Sequence, residues 1–382
     1  MAILSAEHEQ IRAAVRDFVA REVAPHAAVW DKSATFPQQA LKGLAALGLF
    51  GVFVPEEWDG AGLDYTALAV ALEEVAAGDG ATSTILSVNN CPVCNILLNH
   101  GSAAQKEQWL KPLARGDMLG AFALTESHAG SDASSLRTTA RLEKSADGDH
   151  YLINGAKQFI TSGKNGDVTI VFAVTDKGAG KKGISAFLLP TTTPGYQVTG
   201  VEEKLGQHAS DTAALAFENC RVPATSMIGE PGEGYKIALS SLEGGRIGIG
   251  AQSVGMARAA FDAALAYAHD REAFGKPIFE HQAVQFRLAD MATAVETARQ
   301  MVLHAAALKD AGRPCLKEAA MAKLNASQMA ERVCSDAIQI HGGYGYVSDF
   351  AVERIYRDVR VTQIYEGASD IQRLLIARAL AA

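Results

Sequence analysis

The spacing of apolar residues changes period twice along the chain, and this limits the folds open to it more than any single motif. From Ser5 to about Gly116 the spacing is helical: Ile11, Val15, Phe18 and Val19 form one stripe, Leu41, Leu44 and Leu47 a second, and Tyr65, Leu68, Leu72 and Val75 a third. Boundary residues agree. Ser5 precedes a first turn that holds Glu7 and Glu9, where the helix dipole favours acid, Pro37 opens the second helix and Gly48 closes it. Pro55-Glu-Glu-Trp-Asp-Gly-Ala-Gly62 is a turn-rich loop, and Ser102-Ala-Ala-Gln105 has the form of a capping box. Past Gly116 the period shortens. Residues 151–153, 168–174, 184–189 and 215–217 are β-prone runs, Gly178–Gly183 and Thr193-Pro-Gly195 are connections, and Asn154-Gly155 carries a hairpin signal. No helices alternate with these runs, so the spacing predicts an antiparallel sheet.

After Pro223 helical spacing returns in long stretches, at about 234–269, 281–311 and 314–340, with a short tail helix from Asp370. Long amphipathic helices with short connections pack antiparallel, as in a bundle. The expected fold class is α+β: an N-terminal α-helical domain (1–116), a middle antiparallel β domain (117–226) and a C-terminal four-helix-bundle domain (227–382). A length of 382 residues agrees, because one core rarely grows that large.

A composition of 48% hydrophobic and 20% charged residues is that of an ordinary globular protein. The net charge of -8 provides no general basic field, which disfavours nucleic acid as the main partner. No apolar run would span a bilayer, and no signal-peptide core follows Met1. The expected location is the bacterial cytoplasm, or the mitochondrial matrix for a processed eukaryotic protein. Five cysteines, an odd number, argue against a secreted disulfide framework. Cys91-Pro-Val-Cys94 lacks a second ligand pair for zinc and a strand-to-helix setting for redox work. It predicts two small buried side chains one helical turn apart. His281 and His341 have no metal-like spacing, so no metal is expected.

Chemistry concentrates near the end of the chain. In Thr362-Gln-Ile-Tyr-Glu-Gly-Ala-Ser-Asp370 an acid lies between Tyr365 and Gly367, and Ser369 and Asp370 are good N-caps for the run Ile371, Leu374, Leu375 and Ala379. Glu366 is thus expected in a turn at a helix start, beside free amides that can polarise an oxygen while the carboxylate takes a proton. A capping turn with a solvated Glu is the alternative. Gly248-Ile-Gly250 and Gly343-Tyr-Gly345 do not complete a G-x-G-x-x-G fingerprint and stand in no βαβ unit, so a Rossmann site is not expected.

The stretch from Gln363 to Gln372 resembles the C-terminal signature of the acyl-CoA dehydrogenases, flavoenzymes that desaturate acyl thioesters. Leu124-Thr-Glu-Ser-His-Ala-Gly-Ser-Asp132, Phe159-Ile-Thr161, Arg271-Glu-Ala-Phe-Gly-Lys276, His281-Gln282 and Gln339-Ile-His-Gly-Gly-Tyr-Gly345 resemble further family motifs in the same order. The resemblance runs from about Ser5 to the last helix and implies FAD held between sheet and bundle. On that basis Phe122, Leu124, Thr125, Ser131, Phe159 and Thr161 are the sheet's contribution. Thr125 and Thr161 would hydrogen-bond the isoalloxazine, Phe159 would lie on its face, and Ser131 would also meet the CoA arm. Arg271 matches the arginine for the FAD pyrophosphate. Phe274, Gln282, Gln339, Gly342, Gly343, Ser369 and Asp370 match other cofactor positions, partly serving a neighbouring subunit. Ser127-His128 replaces the commoner Pro-Gly, and the two turns differ in backbone shape.

The resemblance also implies a reaction. Glu366 would remove the α proton of an acyl-CoA, the β hydrogen would pass to the flavin, and trans-2-enoyl-CoA would leave. Electron-transferring flavoprotein would reoxidise the enzyme. Glu243, Arg246, Gln252 and Gly367 are the expected substrate contacts. In some members the base stands immediately before the arginine, a position that is Gly245 here, so the role falls to Glu366. Ser87-Val-Asn-Asn90, Gly245-Arg-Ile-Gly-Ile249 and Gln252 resemble short-chain, butyryl-type members, with medium or short branched chains as alternatives. No arginine for a dicarboxylyl substrate occurs between Gly78 and Lys111. A homotetramer, as a dimer of dimers, is implied. A family-like flavoprotein with another role is the remaining alternative.

Overall fold

The computed structural model of the chain describes residues 4–381, so residues 1 and 382, the outer bounds of the expected units, lie outside the described residues. The first part is helical throughout: α1 (Ala6–Glu22), α2 (Ala27–Ser33), α3 (Gln38–Ala46), α4 (Tyr65–Gly78), α5 (Gly80–Val88), α6 (Asn95–His100), α7 (Ala103–Gln105) and α8 (Lys111–Arg115). Ser5 and Ser102 each form a full capping box, with His8 and Gln105 respectively returning a side chain to the cap backbone. Gly48 follows α3 with φ 75°, the left-handed conformation that ends a helix at little strain. Helix α2 lacks a sequence signal because it buries only Ala27 and so has no apolar stripe. Cys91 and Cys94 are buried and free, as expected, but their segment is a wide π-type coil, Asn89–Cys94. Pro92 pushes Cys91 out of helical geometry, to φ -139° and ψ 107°.

The middle part is an eight-stranded sheet: β1 (Gly120–Ala123), β2 (Thr139–Glu143), β3 (His150–Thr161), β4 (Val168–Val174), β5 (Ile184–Pro190), β6 (Tyr196–Val201), β7 (Thr212–Pro223) and β8 (Met227–Ile228). Its order is β6-β7-β3-β2-β4-β5-β8, with β1 also on β4. The sheet is mixed rather than purely antiparallel. Strands β1 and β2 follow one another along β4, both parallel to it, with Gly120–Ala123 opposite Val168–Val171 and Thr139 opposite Val174. The loop between β1 and β2 leaves the sheet and rejoins it in the same direction, which period-2 spacing cannot reveal.

Asn154-Gly155 is not a hairpin turn. It lies inside β3 at a register shift against β7. The Asn154 amide donates to Asn219 Oδ1 at 3.2 Å and accepts from the Asn219 N–H at 2.9 Å, and a Cβ at Gly155 would fall 2.6 Å from Thr138 Oγ1. Close backbone approach, not chain reversal, therefore requires the glycine.

Helices return as α9 (Gly234–Asp270), α10 (Gln282–Asp310), α11 (Leu316–His341), α12 (Ala351–Val359) and α13 (Ser369–Leu380). The three long ones pack on each other, and α13 lies along α11 as a fourth. Among the described residues, no helix is long and apolar enough to cross a membrane. Between α9 and α10 a small hairpin, β9 (Glu272–Ala273) with β10 (Lys276–Pro277), lifts Phe274 to 97% exposure.

Helix α4 joins the helical parts by packing on α9, and it buries nearly its whole circumference, including Glu73 and Glu74. Glu74 accepts from Arg16 at 2.9 and 3.1 Å and from Arg258 at 2.7 Å, while Glu73 accepts from Arg299 at 2.9 Å. Burial alone would raise the Glu74 carboxyl, but the guanidiniums of Arg16 and Arg258 outweigh it and hold the group below its usual range. These pairs tie α1, α4, α9 and α10 together and fix the register of α9, which carries residues 243–252. Replacing Glu74 by Leu leaves the half-buried Arg258 without its closest counter-charge. It should destabilise the protein by about 3 kcal/mol, read as a lower midpoint in thermal unfolding followed by circular dichroism.

Candidate active site

The turn between α12 and α13 is tight and strained. Glu366 has φ 53° and Gly367 has φ 91°, two consecutive residues in the left-handed region. For glycine this is easy, but for glutamate it costs on the order of 1 kcal/mol, so the surrounding contacts must hold it. The Gly367 carbonyl accepts from Lys323 Nζ at 2.6 Å and from Gln372 Nε2 at 2.7 Å, and Gln372 also reaches the Glu366 carbonyl at 3.4 Å. The expected caps do not form. Helix α13 is preceded by Ala368 without a side-chain cap, the Ser369 hydroxyl donates back to the Gln363 carbonyl at 3.4 Å, and Asp370 accepts from Arg373 at the surface. Helix α13 begins at Ser369 itself, so Ser369 and Asp370 stand in its first turn rather than before it, and the Ser369 hydroxyl serves the Gln363 carbonyl.

The turn aims Glu366 at α9. A Cβ on Gly245 would lie 2.4 Å from Glu366 Oε2, so the missing side chain at 245 is what makes room for the carboxylate. Among the described residues, buried Glu366 Oε2 has no hydrogen-bond partner, and the neighbouring Arg246 is buried with Nε and Nη1 also unpartnered. Burial raises the Glu366 carboxyl to about 7, with Lys323 and Arg246 acting in the opposite direction. Burial also lowers Lys323 to about 8, against the pull of Glu366. A carboxyl raised toward neutrality, with one buried oxygen unpartnered among the described residues, is matched to general-base work.

Around this centre, Tyr365 donates to Gln252 Oε1 at 2.7 Å, and buried Gln252 Nε2 has no partner among the described residues. The Cys91 thiol donates to the Ser241 carbonyl at 3.2 Å and, with Tyr65, closes the wall at Gly244. Glu243 stands one turn before Arg246 and is paired with Lys309 at 3.0 Å. Lys323 escaped the sequence reading. Its signal was a lysine set among Ala319, Ala320, Ala322 and Ala326, all buried on the same helix.

The sheet side forms a second group. Thr125 and Thr161 are half-buried with hydroxyls that make no hydrogen bond among the described residues, and Phe122 packs edge-on against Phe172. Phe159 is 61% exposed and held at φ 59°. Buried Lys157 donates to the Leu124 carbonyl at 3.0 Å and to Glu126 at 2.9 Å, and Glu126 also accepts from the N–H groups of Arg137 and Thr138. The Ser127-His128 turn is closed by reciprocal hydrogen bonds between the backbones of Glu126 and Ala129. Ser131 beyond it is exposed.

A third group surrounds a cavity of about 590 Å³ lined by Arg271, His341, Gly342, Gly343, Tyr344 and Asp349, among others. Arg271 lies over the Tyr344 ring at 5.7 Å and makes no ion pair among the described residues. A Cβ on Gly342 or Gly343 would meet nothing within 4 Å. Phe274, Gln282, Gln339 and Asp370 are exposed and join none of the three groups within one chain. Among the described residues no three His, Cys, Asp or Glu side chains converge as metal ligands would. The unpaired guanidinium, the open glycine pair, the exposed aromatic ring and the two free threonine hydroxyls are the partners that a pyrophosphate and a flat conjugated ring need, so the chain's residues fit FAD.

Three family models match in sequence: acyl-CoA dehydrogenase N-terminal domain at residues 5–117, middle domain at 121–220 and C-terminal domain at 232–381. The chain is 50% identical over 370 residues to the mitochondrial short-chain specific acyl-CoA dehydrogenase of Rattus norvegicus, covering 97% of this chain and 89% of that protein. The structure of butyryl-CoA dehydrogenase from Megasphaera elsdenii superposes with a TM-score of 0.96 at 40% identity, covering all of both chains. A chain from a structural study of the electron transferring flavoprotein of Acidaminococcus fermentans gives 0.96 at 43% identity, covering 100% of this chain and 99% of that one. Matched along all three of its parts, the chain belongs to the acyl-CoA dehydrogenase family.

Proposed function

We propose that the chain oxidises a short-chain acyl-CoA, butyryl-CoA or a near neighbour, to the trans-2-enoyl-CoA, with Glu366 as the base. The single observation that carries this is the Glu366 carboxylate, aimed by a left-handed turn at the space above Gly245 with one oxygen free. Bound FAD supplies the two-electron acceptor for the hydrogen that leaves the β carbon. Glu366 removes the α proton, and its peptide N–H is the fixed donor for the thioester oxygen, where negative charge develops. Arg246, beside the carboxylate, favours its ionised form, and closure of the cleft by substrate excludes water from it.

Residues 122–125, 159 and 161 form the flavin shelf in this reading. Arg271, Gly342 and Gly343 hold the pyrophosphate end, and Ser131, Glu243 and Gly367 face the CoA side. The exposure of Phe274, Gln282 and Gln339 supports the use of these residues by a second subunit, within a homotetramer. Gln252, held by the Tyr365 hydroxyl and fully buried, closes the acyl end of the pocket and favours short chains. Electron-transferring flavoprotein as acceptor and a cytoplasmic location belong to the same proposal. So does the division at 1–116, 117–226 and 227–382, which the changes of element type near Gly120 and Gly234 support.

The purified protein should be yellow and should bleach anaerobically on addition of butyryl-CoA. Glu366→Gln should keep its FAD and bleach at least ~1000-fold more slowly; full FAD occupancy with no bleaching of the unaltered enzyme by any acyl-CoA rejects the assignment. Gly245→Val should likewise retain FAD while slowing bleaching about 100-fold, because its side chain takes the volume of Glu366 Oε2. Stopped-flow absorbance of the flavin band measures both, and a Gly245→Val rate equal to that of the unaltered enzyme would place the working carboxylate elsewhere.

A further inference from the structure

Lysine is rarely closed off from water without a carboxylate in contact. Lys323 is such a lysine: it is fully buried on the alanine-rich face of α11, forms no ion pair within 4 Å among the described residues, and makes one hydrogen bond, to the Gly367 carbonyl at 2.6 Å. A leucine or methionine would pack among Ala319, Ala322 and Ala326 without any charge to desolvate. Packing therefore does not explain the residue, and what the ammonium touches does.

We infer that Lys323 is the positioning residue of the Glu366 turn, clamping the Gly367 carbonyl so that the two left-handed residues stay in place while its charge faces the carboxylate. This rests on the reading of Glu366 as the base. The clamp has two donors of different kind. Gln372, also fully buried, grips the same carbonyl at 2.7 Å but carries no charge. Geometry is thus shared between Lys323 and Gln372, whereas the field at Glu366 comes from Lys323 on α11 and Arg246 on α9. The other titratable groups packed against the turn, the Tyr365 phenol and the Cys91 thiol, are pushed up to about 12 by burial and stay neutral.

The two kinds of donor separate by experiment. Burial holds the Glu366 carboxyl up, and the Lys323 cation opposes that rise. Removing the cation moves the carboxyl further up, so the pH at which the base becomes competent moves up too. The measurement is anaerobic flavin bleaching of each holoenzyme by butyryl-CoA from pH 5.5 to 9.5. Lys323→Met should shift the rate midpoint upward by about one unit and lower the limiting rate about tenfold. Lys323→Arg should restore the midpoint, and Gln372→Leu should lower the rate with the midpoint unmoved. A Lys323→Met profile that matches the unaltered enzyme overturns the inference. If Lys323→Met fails to retain FAD, the other two variants carry the test: an upward shift of about one unit in either one overturns it. Glu366→Gln in the same series keeps the questions apart. If that variant bleaches normally, the base assignment fails; if it is inert while Lys323→Met is normal, only the role of Lys323 fails.

Discussion

Two consecutive left-handed residues decide where the carboxylate can stand. Glu366 adopts a conformation that a glutamate avoids when free, and Gly367 continues it, so the side chain leaves the turn in one direction only. Everything that holds this turn is buried and comes from a different element: Lys323 from α11, Gln372 from α13 and the open face of Gly245 from α9. The turn is therefore a junction of three helices rather than a local motif. Its strain persists because the bundle around it is packed and its polar atoms are gripped.

Buried charge is the common device at the joints of the fold. Glu73 and Glu74 with Arg16, Arg258 and Arg299 join the N-terminal helices to the bundle. Lys157 with Glu126 joins the loop after β1 to strand β3. Such pairs are costly to desolvate and add little net stability compared with apolar packing, but they tolerate no slippage, since a displaced charge is left unpaired. At the sheet the Leu124 carbonyl shares this lysine, so Thr125 and Thr161 are kept at a fixed separation by a strand and an ion pair together.

Much of the fold was legible because periodicity reports which faces are apolar. The switch from helix to sheet and back, the helix start at Ser5, the capping box at Ser102 and the stop at Gly48 all have local causes. What failed was non-local. The parallel placement of β1 and β2 on β4 depends on where a loop re-enters the sheet, and the glycine at 155 answers to Thr138, a residue of another segment. Helix α4 shows a single stripe in sequence yet is buried all round, because its glutamates find arginines from three other helices. At the site, the ordered motifs named Glu366 and Arg246, and the structure sets both beside Gly245. The caps at Ser369 and Asp370 were misread, since α13 begins at Ser369 and both residues stand inside its first turn rather than before it. Lys323 was passed over because a lone lysine in a helix usually reaches solvent.

The missing side chain at Gly245 bears on where a second carboxylate could stand. A carboxylate carried at position 245 would arrive at this same volume from α9 instead of from the turn, since a 245 side chain and Glu366 Oε2 compete for one place. Two carboxylates crowded there would repel and retain a proton between them, so the loci exclude one another. The bundle thus has room for one carboxylate at this point, from the turn or from α9, and not for both.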